Sequence, residues 1–168
     1  GNQPTQVLED GSFTISGIPA ARRAIRAPSP PSPWALKSVV VDGRDVTDTP
    51  IEFGKEDVDD LEITLTDRSA SVNGGVSNAD GTPAANYAVV VFAADKTRWM
   101  FPSRFVALGR PNQDGRFAIH ALPPHDYKIV ALPTVEGSEW QDPEFLEKMW
   151  YAAVPLSLAL LALVGFVR

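Results

Sequence analysis

Two histidines, His120 and His125, are the only imidazoles in this chain, so zinc or general-base chemistry would have to pass through them. A peptidase zinc site sets its ligands on one face through H-E-x-x-H or H-x-x-E spacing, and neither histidine belongs to such an arrangement. His120 is expected to point outward from a strand and His125 to occupy a turn, both at the surface. A serine nucleophile needs a base within reach and a sharp turn to present it, yet no G-x-S-x-G occurs. Gly74-Gly75 is followed by neither the lysine nor the helix start of a phosphate loop. No enzyme activity is expected.

Oxygen-rich turns offer a different chemistry. Asp42, Asp45 and Asp48 recur every third residue around a glycine, and Glu56, Asp57, Asp59 and Asp60 form a second acidic cluster. Such loops can hold calcium, but neither matches the twelve-residue EF-hand loop, and solvated turns are the default reading. No other cofactor is expected. Trp34, Trp99 and Trp140, with Trp150, could stack on sugar rings if two indoles lay exposed and coplanar on one face. The alternative is a core or interdomain role.

The elements that must position these residues are short. Fifteen prolines and twelve glycines punctuate the 168 residues, which suits an all-β chain with many turns. A formal charge of −6 lacks the basic footprint of a phosphate-backbone binder, so nucleic acid is not an expected partner. The absence of cysteine excludes disulfides and thiolate metal sites. The opening Gly1–Gln6 has neither the charged nor the apolar region of a signal peptide, so an exported form would be mature or trimmed.

Asn112 to Ala131 holds a turn, a strand, a second turn and a second strand. Asp114-Gly115 is a tight-turn signal, Phe117 and Ile119 alternate with Arg116, Ala118 and His120, and Leu122-Pro123-Pro124 stops the run before Tyr127, Ile129 and Ala131 resume it. Asp10-Gly11, Phe13, Ile15 and Ile18-Pro19, followed by Ile25 and Ala27, repeat that order about a hundred residues earlier. Two copies imply two domains, and both are expected to form strands.

The pattern D-G-x-F-x-Ile-x-x-Leu/Ile-Pro before an alternating strand resembles the carboxypeptidase-regulatory-like domains, small transthyretin-like (prealbumin-like) sandwiches of bacterial extracellular proteins. Val72, Gly74, Val76, Asp80, Gly81 and Pro83 carry V-x-G-x-V followed by x-D-G-x-P, which resembles the first strand and turn of that fold. The resemblance implies two tandem transthyretin-like or immunoglobulin-like β-sandwiches, a secreted or cell-surface location and a non-catalytic role. The family's second turn is Pro-x-Gly-x-Tyr; Ala21 and Arg23 hold the glycine and tyrosine places in the first copy. An alanine in a left-handed turn costs on the order of 1 kcal/mol.

The first domain is expected over residues 1–66 and the second over 67–168. Leu36 to Val41, Ile51-Glu52-Phe53 and Leu61 to Leu65 read as strands of the first, Ala70 to Val76 and Tyr87 to Ala93 as strands of the second. Pro28 to Pro33 reads as a stiff extended spacer or a polyproline ligand. Asp142 can cap a short helix near 142–149 with Pro143 at its first position. No equivalent of the V-x-G-x-V strand precedes Glu9, which would leave ladder groups of the first sandwich open.

Met149 to Val167 carries no charge. At 1.5 Å per residue it would nearly cross a hydrocarbon core of about 30 Å, so a membrane or sorting anchor is one reading. Closing strands of the second sandwich are another, since Leu156, Leu158 and Leu160 alternate with Ser157 and Ala159. A third is an interface of Leu156, Leu158, Leu160, Val164 and Phe166 with another subunit, including donation as a strand. The expected function is a structural or assembly module that self-associates or joins neighbouring domains by strand complementation, and head-to-tail donation would build a filament. The alternative is a carbohydrate- or calcium-binding accessory module of a larger envelope protein.

Overall fold

Alternating patterns and Asp-Gly turns produce a mostly β chain with several sheets and, among the described residues, one α-helix. The computed structural model describes residues 6–27, 33–54, 56–158 and 163–164, the last two as backbone only. Two compact units emerge: Gly1–Arg26 with Ser38–Ile63, and Ala27–Lys37 with Thr64–Arg168. The sequence placed the boundary after residue 66 and assigned 27–37 to the first domain.

The first unit draws on β1 (Ala21–Arg23), β2 (Ala35–Val41) from Ser38 on, β3 (Arg44–Asp45), β4 (Ile51–Phe53) and β5 (Leu61–Thr66) as far as Ile63. β1 pairs antiparallel with β4, and a three-stranded sheet runs β3-β2-β5. Asp42 and Gly43 take φ of 49° and 74°, the backbone a two-residue hairpin turn requires, so β3 folds back on β2. Among the described residues of this unit, only Val39 and Thr47 are buried. The Thr47 hydroxyl accepts from the Val39 N–H at 2.9 Å and donates to Asp45 Oδ1 at 2.5 Å, so its polar atom is satisfied.

In the second unit follow β6 (Ala70–Gly75), β7 (Ala88–Ala93), β8 (Val106–Gly109), β9 (Arg116–Leu122), β10 (His125–Leu132), the helix α1 (Pro143–Met149), β11 (Val154–Leu158) and β12 (Leu163–Val164). One sheet runs β11-β10-β7-β8, the other β12-β6-β9. β7 is apolar on both faces because it is the inner strand between β10 and β8, and all six of its residues are buried. β9 buries Phe117 and Ile119, turns Arg116, Ala118 and His120 outward, then changes phase to bury Leu122. The phase change is a β-bulge: Val72 stands opposite Ile119 and Ala70 opposite Leu122, with Ala121 at φ 61°. Tyr127 is buried, and its hydroxyl donates to the Pro123 carbonyl at 2.7 Å. Asp142 caps α1 by accepting from the Glu144 N–H at 2.8 Å, with Pro143 in the first turn and Leu146 buried beneath.

Three expectations need correction. No strand forms at Phe13 and Ile15, and the first copy's second strand lies at Ala21–Arg23 rather than around Ile25 and Ala27. β8 forms within Lys96 to Arg110, a stretch whose sequence reads as a longer connection between strands. Residues 28–32 of the proline-rich stretch lie outside the described residues.

Candidate functional site

The two copies match residue for residue at one constant offset, Leu8 with Asn112 and Pro19 with Pro123. Their turns are built alike. Leu8 N–H donates to the Ser12 carbonyl and Gly11 N–H to the Leu8 carbonyl, both at 2.9 Å; Asn112 N–H donates to Arg116 at 2.8 Å and Gly115 N–H to Asn112 at 2.9 Å. Gly11 and Gly115 hold φ of 84° and 72°. Past the turn, Gly17 holds φ 72° where Ala121 holds 61°, so the bulge conformation is present in both copies.

What differs is the neighbour. β9 is flanked by β6, which buries Ile119 to 4 % exposure, whereas residues 12–18 pair with no strand among the described residues and Ile15 is 42 % exposed. A methyl group added at Gly115 would run into the Val76 carbonyl oxygen; one added at Gly11 would meet nothing within 4 Å. The next strands correspond as well. β1 pairs with β4 as β10 pairs with β11, Ala21 opposite Phe53 and His125 opposite Leu158, within one residue of the same register. β7 flanks the other edge of β10, while the β1 sheet contains only β1 and β4 among the described residues. The first unit therefore holds a preformed turn and bulge with an unpaired segment between them.

The sequence did not reveal how these turns are held. Asp10, Asp45, Asp80 and Asp95 each accept from both the N–H and the hydroxyl of the Ser or Thr two residues later. The Ser12 N–H, then its hydroxyl, holds the Asp10 carboxyl below the usual aspartate range. The Thr82 hydroxyl, then its N–H, does so for Asp80. At Asp95 the Thr97 hydroxyl and N–H lead, with Arg98 and His125 adding. A recurring Asp-x-Ser/Thr spacing was the available signal.

The calcium candidates do not come together. Asp45 is engaged by Thr47, Asp48 lies 3.9 Å from Arg26, and no group of three potential metal ligands forms among the described residues. The tryptophan platform is likewise not assembled. Trp99 is 3 % exposed, packs edge-on against Phe92 and donates to the Ala93 carbonyl at 2.8 Å; Trp140 packs against the core, and only Trp34 is exposed. Core burial of the indole overrides the sugar-stacking reading for Trp99. Two ammonium groups lie over the Trp150 ring, Lys96 at 4.7 Å and Lys128 at 4.4 Å from its centre.

His120 is exposed on β9, as expected. His125 does not sit in a turn: it opens β10 half-buried against Phe105 and Tyr127, and its Nε2 is buried without a hydrogen-bond partner among the described residues. It lines a cleft of about 530 Å³ in the second unit, together with Lys37, Arg68, Arg98 and Arg104. The Arg104 guanidinium donates to the carbonyls of Leu36 and Lys37, and both Arg98 and Arg104 stand 5.1 Å from the Phe105 ring centre. No carboxylate is among the described residues that line this cleft, but the Asp95 carboxylate lies 3.8 Å from the Arg98 Nε.

The apolar tail is divided. β11 pairs with this chain's own β10, Leu158 is buried in the core and Leu156 packs half-buried against it. Val164 belongs to β12, which runs parallel to β6; Leu160 and Phe166 lie outside the described residues. No helix among the described residues is long and apolar enough to cross a membrane. Comparison with protein-family models, curated proteins and solved structures yields no match.

Proposed function

We propose that this chain is a non-catalytic structural module of two tandem β-sandwiches, part of a larger secreted or cell-surface assembly, whose first sandwich is completed by β-strand addition from outside the described residues. One observation carries the reading: the first copy of the repeat holds the same turn and bulge as the second, yet among the described residues Phe13 to Ile18 lacks the strand that β6 supplies to β9. A segment whose backbone has no strand beside it is a template for another strand. Main-chain hydrogen bonds then supply affinity and alternating side chains supply specificity. The resemblance of both Asp-Gly-x-Phe-x-Ile copies to carboxypeptidase-regulatory-like domains supports the sandwich architecture and the extracellular, bacterial setting.

The test is light scattering of the purified chain over a concentration series. An open acceptor makes the chain self-associate as concentration rises, and Ile15→Lys, which places a charge on the acceptor, suppresses the association. A monodisperse monomer at all concentrations with residues 12–18 already paired would contradict the proposal.

A second reading, an accessory module for an acidic glycan or another organic anion, draws on the cleft of Lys37, Arg68, Arg98, Arg104 and His125. Arginine's planar fork suits carboxylate and phosphate. Calorimetric titration with an oligouronate, a neutral oligosaccharide and calcium separates the readings: heat with the oligouronate alone favours this one, and no heat with any of the three favours the structural role.

A further inference from the structure

Positive charge gathered in an acidic chain has to be held together against its own repulsion. Four of the 15 lysines and arginines line the cleft of the second unit, whereas none of the 21 acidic residues is among its described lining residues. Two of the four are fixed from behind. Arg104 Nη1 donates to the carbonyls of Leu36 at 2.9 Å and Lys37 at 3.3 Å. Arg98 Nε lies 3.8 Å from Asp95 Oδ2, and Asp95 Oδ1 is engaged by the Thr97 N–H and hydroxyl. Ser103 ties the loop that carries both arginines: its hydroxyl donates to the Arg98 carbonyl and accepts from the Phe105 N–H at 3.0 Å. The Phe105 ring then gathers both guanidiniums at 5.1 Å and the His125 ring at 5.5 Å. Like charges set on one ring repel, and an anion beside them relieves that repulsion. Asp95 offsets one charge only.

The cations stand at two levels of burial: Arg98, Arg104 and His125 are half-buried, Lys37 and Arg68 exposed. Much of the remaining lining is apolar, with Ala35, Phe105 and Leu122 buried and Leu36 and Pro123 half-buried. Among the described lining residues there is no glycine and no residue of α1, so neither the backbone cradle nor the helix start of a phosphate site is present. Recognition falls to side chains, and a guanidinium fork matches a carboxylate. The volume of about 530 Å³ lies in the small-molecule range of roughly 300–1,000 Å³, too small for a folded partner. A long polyanion would also meet the acidic surface of a chain of net charge −6. His125 Nε2 is buried with no partner among the described residues, a cost that a ligand oxygen reaching it would remove. We propose that this cleft binds a small organic dicarboxylate, one carboxylate beside Arg98, Arg104 and His125, the other held by Lys37 and Arg68, with the carbon frame on the apolar wall. The two carboxylates come from a free aliphatic diacid or from adjacent uronate units of an acidic glycan, with the same chemistry in the cleft. This inference rests on the second of the two readings above and narrows its ligand.

Calorimetry and amide NMR titrate the full chain with glutarate, digalacturonate, the monoacid valerate and inorganic phosphate. One site is expected for glutarate or digalacturonate, with shifts at Arg68, Ser69, Phe105 and His125. Valerate and phosphate are expected to bind at least about tenfold more weakly, and the affinity for the diacid to fall as salt rises. Binding of glutarate assigns a free diacid, and binding of digalacturonate alone a glycan; either supports the site. Arg104→Gln and Arg68→Gln are each expected to weaken the diacid by at least about tenfold. Arg68 is exposed, so its variant decides the matter should Arg104→Gln unfold. Valerate or phosphate binding as tightly as the diacid overturns the dicarboxylate assignment and leaves the anion reading standing. A diacid bound with shifts elsewhere, or unaffected by both substitutions, overturns this site and leaves an acidic-glycan role standing. No binding by any of the four overturns the site and the second reading together.

Discussion

Val72 stands opposite Ile119 in the β6–β9 ladder, and Ile15, the residue that repeats Ile119, has no strand beside it among the described residues. The two isoleucines follow the same turn and precede the same left-handed residue, so local sequence has done equal work in both places. The difference is tertiary. Fully burying an isoleucine contributes about 1.5–3 kcal/mol, and Ile15, 42 % exposed, realises only part of it.

Substituting the paired turn glycines separates backbone strain from packing. At Gly115→Ala both act: φ is 72°, and the new methyl meets the Val76 carbonyl and comes within 3.3 Å of the Ala84 nitrogen. The expected loss is about 2–4 kcal/mol in the second unit. At Gly11→Ala only the φ of 84° acts, and the expected loss in the first unit is about 1 kcal/mol. Urea denaturation followed by site-resolved NMR measures both; equal losses would show that Gly11 is as closely covered as Gly115.

Ala121 is a non-glycine residue at φ 61° in a position where the first copy carries Gly17. Ala121→Gly removes the steric strain of the left-handed backbone and is expected to stabilise the second unit by about 1 kcal/mol, less the entropy glycine adds to the unfolded chain. Thermal or urea unfolding reads the change. A destabilised variant would mean that the alanine methyl group contributes packing at the bulge.

The Asp-x-Ser/Thr turns give stability a sign with pH. The carboxyls of Asp10, Asp80 and Asp95 are all lowered by their hydrogen bonds to Ser12, Thr82 and Thr97. Each therefore stabilises the fold above the ordinary aspartate range, and the contribution is lost as pH falls through the lowered value. Thr82→Val deletes the leading hydroxyl, so the Asp80 carboxyl is expected to titrate at higher pH, nearer the ordinary range, in a carbon-detected NMR titration. An unchanged Asp80 midpoint would place the cause elsewhere.

Much of the second unit was legible because its local patterns agree with its contacts. The apolar run Val89 to Phe92, the alternation at Phe117 and Ile119, and the Asp142-Pro143 helix start all appear where the sequence places them. The first copy misled because Phe13-Thr14-Ile15 has strand periodicity but, among the described residues, no strand to pair with, and periodicity reports which face would be buried, not whether a neighbour exists. Trp99 was ambiguous for a related reason: an indole serves a core and a sugar face equally well, and only the packing of Phe92 and Trp150 against it decides. The cleft was hidden because Lys37, Arg68, Arg98, Arg104 and His125 are scattered along the chain and meet only in the fold.

Amide hydrogen exchange of the unextended chain tests the central claim most directly, by comparing Phe13–Ile18 with Phe117–Leu122 in one sample. The account predicts fast exchange throughout the first segment and slow exchange at the β6-bonded positions of the second. Slow exchange of matching strength in both would contradict it, because Ser12 to Ile18 would then already be part of a complete sheet.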